Sequence, residues 1–469
     1  TGTVTRERES VPFVPRRTRD GYSKAMSTTP QIGAPIDARK LYSKISWRLI
    51  PYIFTLYILA YLDRVNVGFA AVEFQRDLHL SSTAYGLGGG IFFLGQMLFD
   101  LPSNLLLNKV GPRLWIARIM ISWGLIATCM MFVRGAHSFY AMRLLLGISE
   151  AGFFPGMILY LSFWFPSGER ARAVAKFMTA TSLAGVVGAE LARVLLKLEG
   201  VGGLHGWQWL FLLEGLPTFL MGFSVLWVLK DKPDDANWLT DDEKRWLDAE
   251  LERDRQEGGA TRNHNLLDAF KMPMVWVLAV IFLLEQVGVY TVNLWMPALF
   301  NTFLHAPGPE AAAHIARIGA LPYLAAAICT VLVGWSSDRT GERRFHIAGT
   351  FLVGAAGFAW AAYAHSLMAV FFAMVLAAVG FWSMTGPFWA LPTRVLGGRA
   401  AAGGVAIITM VGSVGGFMGP ALTGKLKDMT HTFTAGLLVI AGVAVAGAVL
   451  CCFLPPAERP GQASEDRLP

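Results

Sequence analysis

The chain has 469 residues, 54% hydrophobic and 16% charged, where a soluble domain carries about a quarter charged residues. Apolar stretches near the roughly 20 residues that cross hydrocarbon as a helix recur throughout, which excludes a soluble globular protein and defines a polytopic membrane protein. The net charge of +7 arises from a basic tail and alternate loops, the pattern of orientation signals and not of nucleic-acid binding.

Residues 1–46 are polar, basic and Pro-rich ("VPFVPRRTRDGYSK") without the apolar core of a signal peptide, so a disordered cytoplasmic tail with no cleaved leader is expected. Hydropathy predicts twelve helical spans, at about 48–70, 84–106, 114–133, 138–161, 174–196, 208–229, 274–300, 315–337, 345–364, 368–392, 402–423 and 432–454. They divide into an N-terminal half (47–229) and a C-terminal half (273–455), followed by a short cytoplasmic tail (456–469). One set of loops holds Lys109, Arg113, Arg170, Arg172, Lys176, Arg339, Arg343, Arg344, Arg394 and Arg399. The other is sparser, with Arg76, Arg134, Lys197, Arg317, Lys425 and Lys427. The positive-inside rule therefore places the first set and both termini in the cytoplasm. The linker at 230–272 carries Pro233, a helix start at Thr240 and a Gly258–Gly259 break, and predicts one charged amphipathic helix. Two readings stand for it: a solvated hinge, or a binding segment.

The halves repeat. "NLLLNKVGPR" (104–113) follows the second span and "GWSSDRTGER" (334–343) follows the eighth, sharing (G/N)-x-x-x-(D/N)-(R/K)-x-G-x-R at an offset of 230 residues. Spans five and eleven both carry small residues at near-helical spacing, Thr181, Gly185, Gly188 and Ala192 in one and Gly412, Gly416 and Gly419 in the other, which allows close helix approach. Two parallel repeats with a site between them is the architecture of a transporter. The four cysteines fall in apolar segments, with no metal or disulfide spacing. No metal site, cofactor or nucleotide loop is expected: "GLGGG" (86–90) lies in an apolar span and reads as helix packing. No nucleophile–base pair marks an enzyme.

Charges inside spans carry the chemistry. A charge at the bilayer centre costs roughly 2.5–3.5 kcal/mol on insertion scales, so intramembrane charges default to function. Span one holds Asp63 and Arg64 side by side, about 100° apart on a helix, with Asn66 near the face of Asp63. Span four holds Arg143 and Glu150, two turns apart on one face. An Arg offers a carboxylate two hydrogen bonds and never deprotonates. An acid competing with substrate for that Arg takes up a proton when it loses, and this couples the two fluxes. The rival is a static buried ion network that fixes packing. Span seven has a polar stripe of Gln286, Tyr290 and Asn293, which either contacts substrate hydroxyls or satisfies backbone freed by Pro297. Trp382 and Trp389 in span ten either close a pocket or form an aromatic packing face. Glu190 and Arg193 read as an exposed i,i+3 ion pair, with a second anion contact as the alternative. Asp100, Glu214 and Glu285 read as structural partners. Gly334, Asp338, Arg339 and Arg343, with Gly111 and Arg113 in the other copy, form a conformational latch in which Asp338 caps a helix across the seam, or else a polar turn. Asn108 replaces the acid in the first copy.

The paired loop motif is the signature of the major facilitator superfamily. "YLDRVNVGFA", "LPSNLLLNKVGPRLWIARI", "RLLLGISEAGFFPG", "LSFWFPSGERARA" and "GPFWALPTRVL" more specifically resemble its anion:cation symporter family, over about residues 45–455. The resemblance implies an all-α fold of twelve transmembrane helices in two pseudo-symmetric halves. It also implies a proton-driven importer of an organic carboxylate: a sugar acid, a tartrate-like diacid or an aromatic acid. The matching positions make Arg64 the anion clamp and Asp63 and Glu150 the titrating acids, with Arg143 beside them. Gln96 stands where the family usually has Tyr, and Thr409 and Ser413 where it has Asn; these positions face the pocket in the family. The expected partners are a small organic anion, protons and the lipid bilayer of the plasma (inner) membrane, in a monomeric protein. Anion exchange without a proton and a non-transporting carboxylate sensor are the alternatives.

Overall fold

The computed structural model describes residues 36–178, 180–260, 266–304, 309–395 and 399–454. The expectations for tails 1–35 and 455–469 lie outside the described residues, as do the side chains of Asn108, Lys176, Thr181, Arg394 and Arg399. In the N-terminal half the helices are α1 (Ala38–Asp77), α2 (Ser82–Val110), α3 (Pro112–Cys129), α4 (Ala136–Glu150), α5 (Phe153–Ser162), α6 (Ser167–Met178), α7 (Ala180–Leu195) and α8 (Gly206–Val228). The linker contains α9 (Asp241–Ala260). The C-terminal half has α10 (Pro273–Leu304), α11 (Pro309–Thr340), α12 (Arg344–Ala362), α13 (Leu367–Ser383), α14 (Thr385–Val395), α15 (Arg399–Thr430) and α16 (Thr434–Leu450).

Helix α1 begins at Ala38, about ten residues before the expected span, because Asp37 accepts hydrogen bonds from the Arg39 and Lys40 backbone N–H groups. Leu41 and Ile45 then bury one face of this extra segment, so residues 38–46 are helical. Eleven of the expected spans are long and apolar enough to cross a membrane by length and composition. The remaining one contains α7, which is 16 residues long and carries Glu190 and Arg193. It packs between α1 and α11, where a span belongs. Outward faces carry exposed Leu220, Trp227, Val331 and Val449, as hydrocarbon requires.

The halves repeat in packing as they do in sequence. Each contains a broken span, α4–α5 in one and α13–α14 in the other, at nearly the same repeat position. The seam between halves is built from α1 with α10, α2 with α15, and α7 with α11; the last two pairs exchange under the repeat. With α7 counted beside the eleven candidate spans, the start of α1, the end of α16 and the linker share one end of the bundle, called here the linker end. Close approach decides where the seam is tight. A Cβ at Gly68 would collide with the carbonyl oxygen of Asn293, and that carbonyl is the one Pro297 deprives of its helical N–H donor. Gly68 thus lets α1 cover an orphaned acceptor on α10.

Candidate functional site

The middle of α1 places Asp63, Arg64 and Asn66 inside the bundle. Asp63 is 3% exposed and its Oδ1 accepts from Asn66 Nδ2 at 3.3 Å. Arg64 points elsewhere, as the turn of the helix demands. Its Nε donates to Glu150 Oε1 at 2.9 Å, its second terminal nitrogen reaches the same oxygen, and NH1 donates to the Tyr290 hydroxyl at 3.3 Å. The residue facing Arg64 is therefore Glu150 across the helix interface, not its neighbour Asp63.

Glu150 is fully buried and is the last residue of α4. The helix breaks there because Gly152 adopts the left-handed conformation (φ +84°), where any side chain would strain the backbone and strike Ser103. Asp100 on α2 accepts from the Gly152 N–H at 2.7 Å and so holds the break, the structural role expected of it. A carboxylate at a helix C-terminus meets the negative end of the macrodipole. Arg64 supplies the counter-charge that this position lacks.

Arg143, 3% exposed, shares the face of Glu150 but turns its guanidinium to α2. Nε lies 3.4 Å from the Gly88 carbonyl oxygen and NH2 3.2 Å from that of Gly89. The glycine run also packs closely, Gly88 against Phe139 and Gly89 against Leu294, which is the packing role read for it. The ring of Phe92 stands by both cations, 5.7 Å from Arg64 Cζ and 4.9 Å from Arg143 Cζ, with its electron-rich face lowering the cost of two like charges. A narrow cavity beside them is lined by Arg64, Arg143, Phe93, Tyr290, Asn293 and the end of the α2 glycine run. Both halves contribute to it.

Of the polar stripe on α10, Tyr290 and Asn293 reach this cavity, while Gln286 sits a turn away against Gly415. Asn293 Oδ1 accepts from the Tyr323 hydroxyl at 2.7 Å and its Nδ2 has no partner, so the side chain does not serve the Pro297 kink. Gln96, Trp389 and Thr409 do not line the cavity. The Thr409 hydroxyl donates to carbonyls of its own helix, and Trp389 packs on Phe282 and Phe388 at 5.1 and 5.3 Å between ring centroids. Trp382 packs on Tyr323, so both tryptophans form packing faces here. Glu190 and Arg193 make the expected exposed pair at 2.7 Å. Glu214 and Glu285, read as structural partners, are buried, with both oxygens of Glu214 and Oε2 of Glu285 lacking a hydrogen bond.

The latch motif is at the linker end, where Asp338 pairs with Arg343 of its own loop at 2.7 Å and does not cap a helix across the seam. Arg339 lies over Trp335, and Gly334 has open space beside it. In the other copy Gly111 (φ +96°) and Arg113 meet Asp231 of the linker, whose Oδ1 accepts from the Arg113 N–H at 2.9 Å. Asp231 thus supplies an acceptor at the start of α3, a long-range role that no local pattern announces. Cross-seam capping occurs at the opposite end. Asp428 on α15 accepts from the N–H groups of Ser82 and Thr83, at 3.0 and 2.7 Å, at the start of α2. Lys197 pairs with Glu310 at the same end, and Gly86 and Gly90 face Pro420 and Phe417 backbone to backbone.

A two-fold repeat of helices, a seam tied at one end and a cavity between the halves with buried charges are the features of a membrane transporter. The chain belongs to the Major Facilitator Superfamily, which it matches over residues 53–420. It is 44% identical over 419 residues (89% of this chain, 92% of the relative) to an Agrobacterium vitis protein named "Putative tartrate transporter". It is 38% identical to the inner membrane transport protein RhmT of Escherichia coli K12, covering 86% of this chain and 92% of that one. The fold resembles a crystal structure of a D-xylose–proton symporter with a TM-score of 0.67 at 17% identity, covering 88% and 98% of the two chains. These relatives bear out the resemblance to the anion:cation symporter family read from the motifs. The protein is a multi-pass membrane transporter of a small metabolite, not an enzyme.

Proposed function

We propose that this protein imports an organic carboxylate with protons across the bacterial inner membrane by alternating access. The observation that carries the reading is the Arg64–Glu150 pair, a guanidinium held in the membrane interior by a carboxylate that a substrate carboxylate can replace. The name of the Agrobacterium relative supports a tartrate-like diacid, and that of the Escherichia coli relative supports the inner membrane.

The basic loops make the linker end cytoplasmic. The capping by Asp428 and the Lys197–Glu310 pair then close the outer end, which supports reading this state as inward-facing. With the external gate open, a proton on Glu150 leaves Arg64 free while a second proton neutralises Asp63, and Arg64 receives the substrate carboxylate in a two-pronged hydrogen bond. Tyr290 and Asn293 on the opposite half contact the remainder of the ligand. Their engagement draws the halves together around it. After the switch, substrate leaves to the cytoplasm, Asp63 and Glu150 both give up their protons there, and Glu150 recaptures Arg64. Asp63, Arg64, Arg143 and Glu150 sum to zero net charge, so each negative charge on the substrate requires one proton to keep the moving interior neutral.

Proteoliposomes with acid outside accumulate labelled tartrate, and an ionophore that collapses the pH gradient abolishes accumulation. Uptake that survives this collapse and depends strictly on internal substrate means exchange, and the proton-coupled reading falls.

A further inference from the structure

At the outer end of the seam stands a cation without a counter-charge. Lys427, half-buried in the last turn of α15, holds its Nζ 4.2 Å from the Phe433 ring centroid and 5.4 Å from that of Trp295. Among the described residues no carboxylate pairs with it. Its chain neighbour Asp428 is turned to the start of α2, where it accepts from Ser82 and Thr83. An aromatic face attracts an ammonium but brings no net charge to cancel it, so the field of Lys427 reaches the outer solution. Lys197, at the same end, is by contrast neutralised by Glu310 at 3.0 Å.

Trp295 connects this cation to the central cavity. Its side chain is 1% exposed and so tightly held that a Cβ on Gly86 or Gly424 would come within 3.3 or 3.1 Å of the ring. Its Nε1 donates to the Pro420 carbonyl oxygen at 3.2 Å, and its ring meets Tyr85 of α2 edge-on at 5.2 Å between centroids. Pro420 lines the cavity together with Leu294, Arg64 and Arg143. Trp295 therefore touches both the Lys427 ammonium and the cavity wall. Tyr85 and Gly86 belong to α2, and Pro420 and Gly424 to α15, the two helices that the Asp428 cap ties together. Lys427, Trp295 and Phe433 all belong to the C-terminal half, so they stay together when α2 parts from α15. The cation then stands at the rim of the opened path.

We propose that Lys427 is an outer landing site for the transported carboxylate, where the anion is drawn to the mouth of the seam before Arg64 receives it. This rests on the reading under Proposed function that an organic carboxylate enters from this end. A lysine ammonium is a strongly hydrated point charge, and a half-exposed pair with a carboxylate is weak. That suits a first stop from which the anion moves on, while the two-pronged fork of Arg64 suits the final site.

Capture and transport separate in the kinetics of labelled tartrate in proteoliposomes. For the wild type, the outer-side KM rises as salt is raised from about 10 to about 150 mM, because the screening length falls from about 30 to about 8 Å. Lys427→Gln raises the outer-side KM about tenfold at the lower salt, keeps the maximal rate within about twofold and flattens the salt dependence. Lys427→Arg restores the wild-type KM, and the KM for efflux from the cytoplasmic side does not move in either variant. An outer-side KM unchanged in Lys427→Gln, or equal losses on both sides, assigns Lys427 to packing and overturns the inference alone. A wild-type outer-side KM indifferent to salt overturns it too, whether or not the variants fold. A wild type that takes up no labelled tartrate overturns the reading under Proposed function, and the inference with it.

Discussion

Arg64 makes three hydrogen-bonding contacts with two partners on two helices, Glu150 from its own half and Tyr290 from the other. Only a planar fork spans both, and a lysine ammonium at the end of a four-carbon stem reaches one at a time. A hydrogen bond to a charged group contributes about 1.5–3 kcal/mol, so losing one raises a dissociation constant roughly 10- to 150-fold. Arg64→Lys is accordingly expected to weaken tartrate binding by at least tenfold in a calorimetric titration, with the fold retained. Binding within twofold of wild type would reduce Arg64 to a diffuse positive charge. That buried charges sit in spans one and four was legible in the sequence, because each stands against several kcal/mol of insertion cost. Their pairing was not. Adjacency along the chain suggested Asp63 as the partner of Arg64, but adjacent helical residues diverge by about 100° and the residue that pairs with Arg64 comes from another helix. Nothing local distinguishes Glu214, a single acid in an apolar run, from a residue with an ordinary partner.

Hydropathy located the helical elements well, because a membrane span must be long, apolar and self-satisfied in its backbone hydrogen bonds. It missed the extension of α1 to Ala38, which is stabilised by a cap and one buried face and not by overall apolarity. It also missed the break after Glu150, although Gly152 and Pro155 stand in "SEAGFFPG" as punctuation. The contact between elements that most differs from expectation is the cross-seam cap. The sequence pointed to Asp338 at the linker end, whereas Asp428 caps α2 at the other end. An anion held on two backbone N–H groups at a helix start gains from both hydrogen bonds and dipole. Replacing a cap of this kind typically costs about 0.5–2 kcal/mol. Asp428→Asn keeps the size but removes the charge, and is expected to shift the state populations several-fold toward an open outer end. A thiol introduced as Gly90→Cys would clash with Phe417, so the reporter is Thr83→Cys, whose labelling by an impermeant maleimide rises when Asp428→Asn is added. Unchanged labelling would show that backbone packing alone closes this end.

At the scale of the whole molecule, the linker divides: its first part, through α9, docks on the N-terminal half, while the turn at Leu266–Lys271 packs against α15 of the C-terminal half. Lys44 donates to both oxygens of Glu243, at 2.7 and 3.0 Å, Trp164 stacks on Trp238 at 5.6 Å, and Ser167 binds Asp254. Partial burial pushes the Glu243 carboxyl up, but the bonds from Lys44 and Thr240 outweigh it and hold the group below its ordinary value. Asp231 adds its bond at the start of α3. The solvated-hinge reading therefore narrows to a segment whose first part, through α9, is docked under the N-terminal half. If the halves rock about the α1–α10 crossing, links within a body are silent and links across the outer seam are not. In a background lacking Cys129, Cys329, Cys451 and Cys452, Lys44→Cys with Glu243→Cys is joined by a bifunctional thiol reagent of matching reach. Uptake then stays within about twofold of the unlinked protein. Thr83→Cys with Asp428→Cys, linked the same way, holds the outer end closed, abolishes uptake and recovers when a cleavable reagent is reduced. Inhibition by the first link would place a moving joint between linker and N-terminal half. Undiminished uptake with the second would mean that the seam at Asp428 never opens, and alternating access about this axis would be wrong.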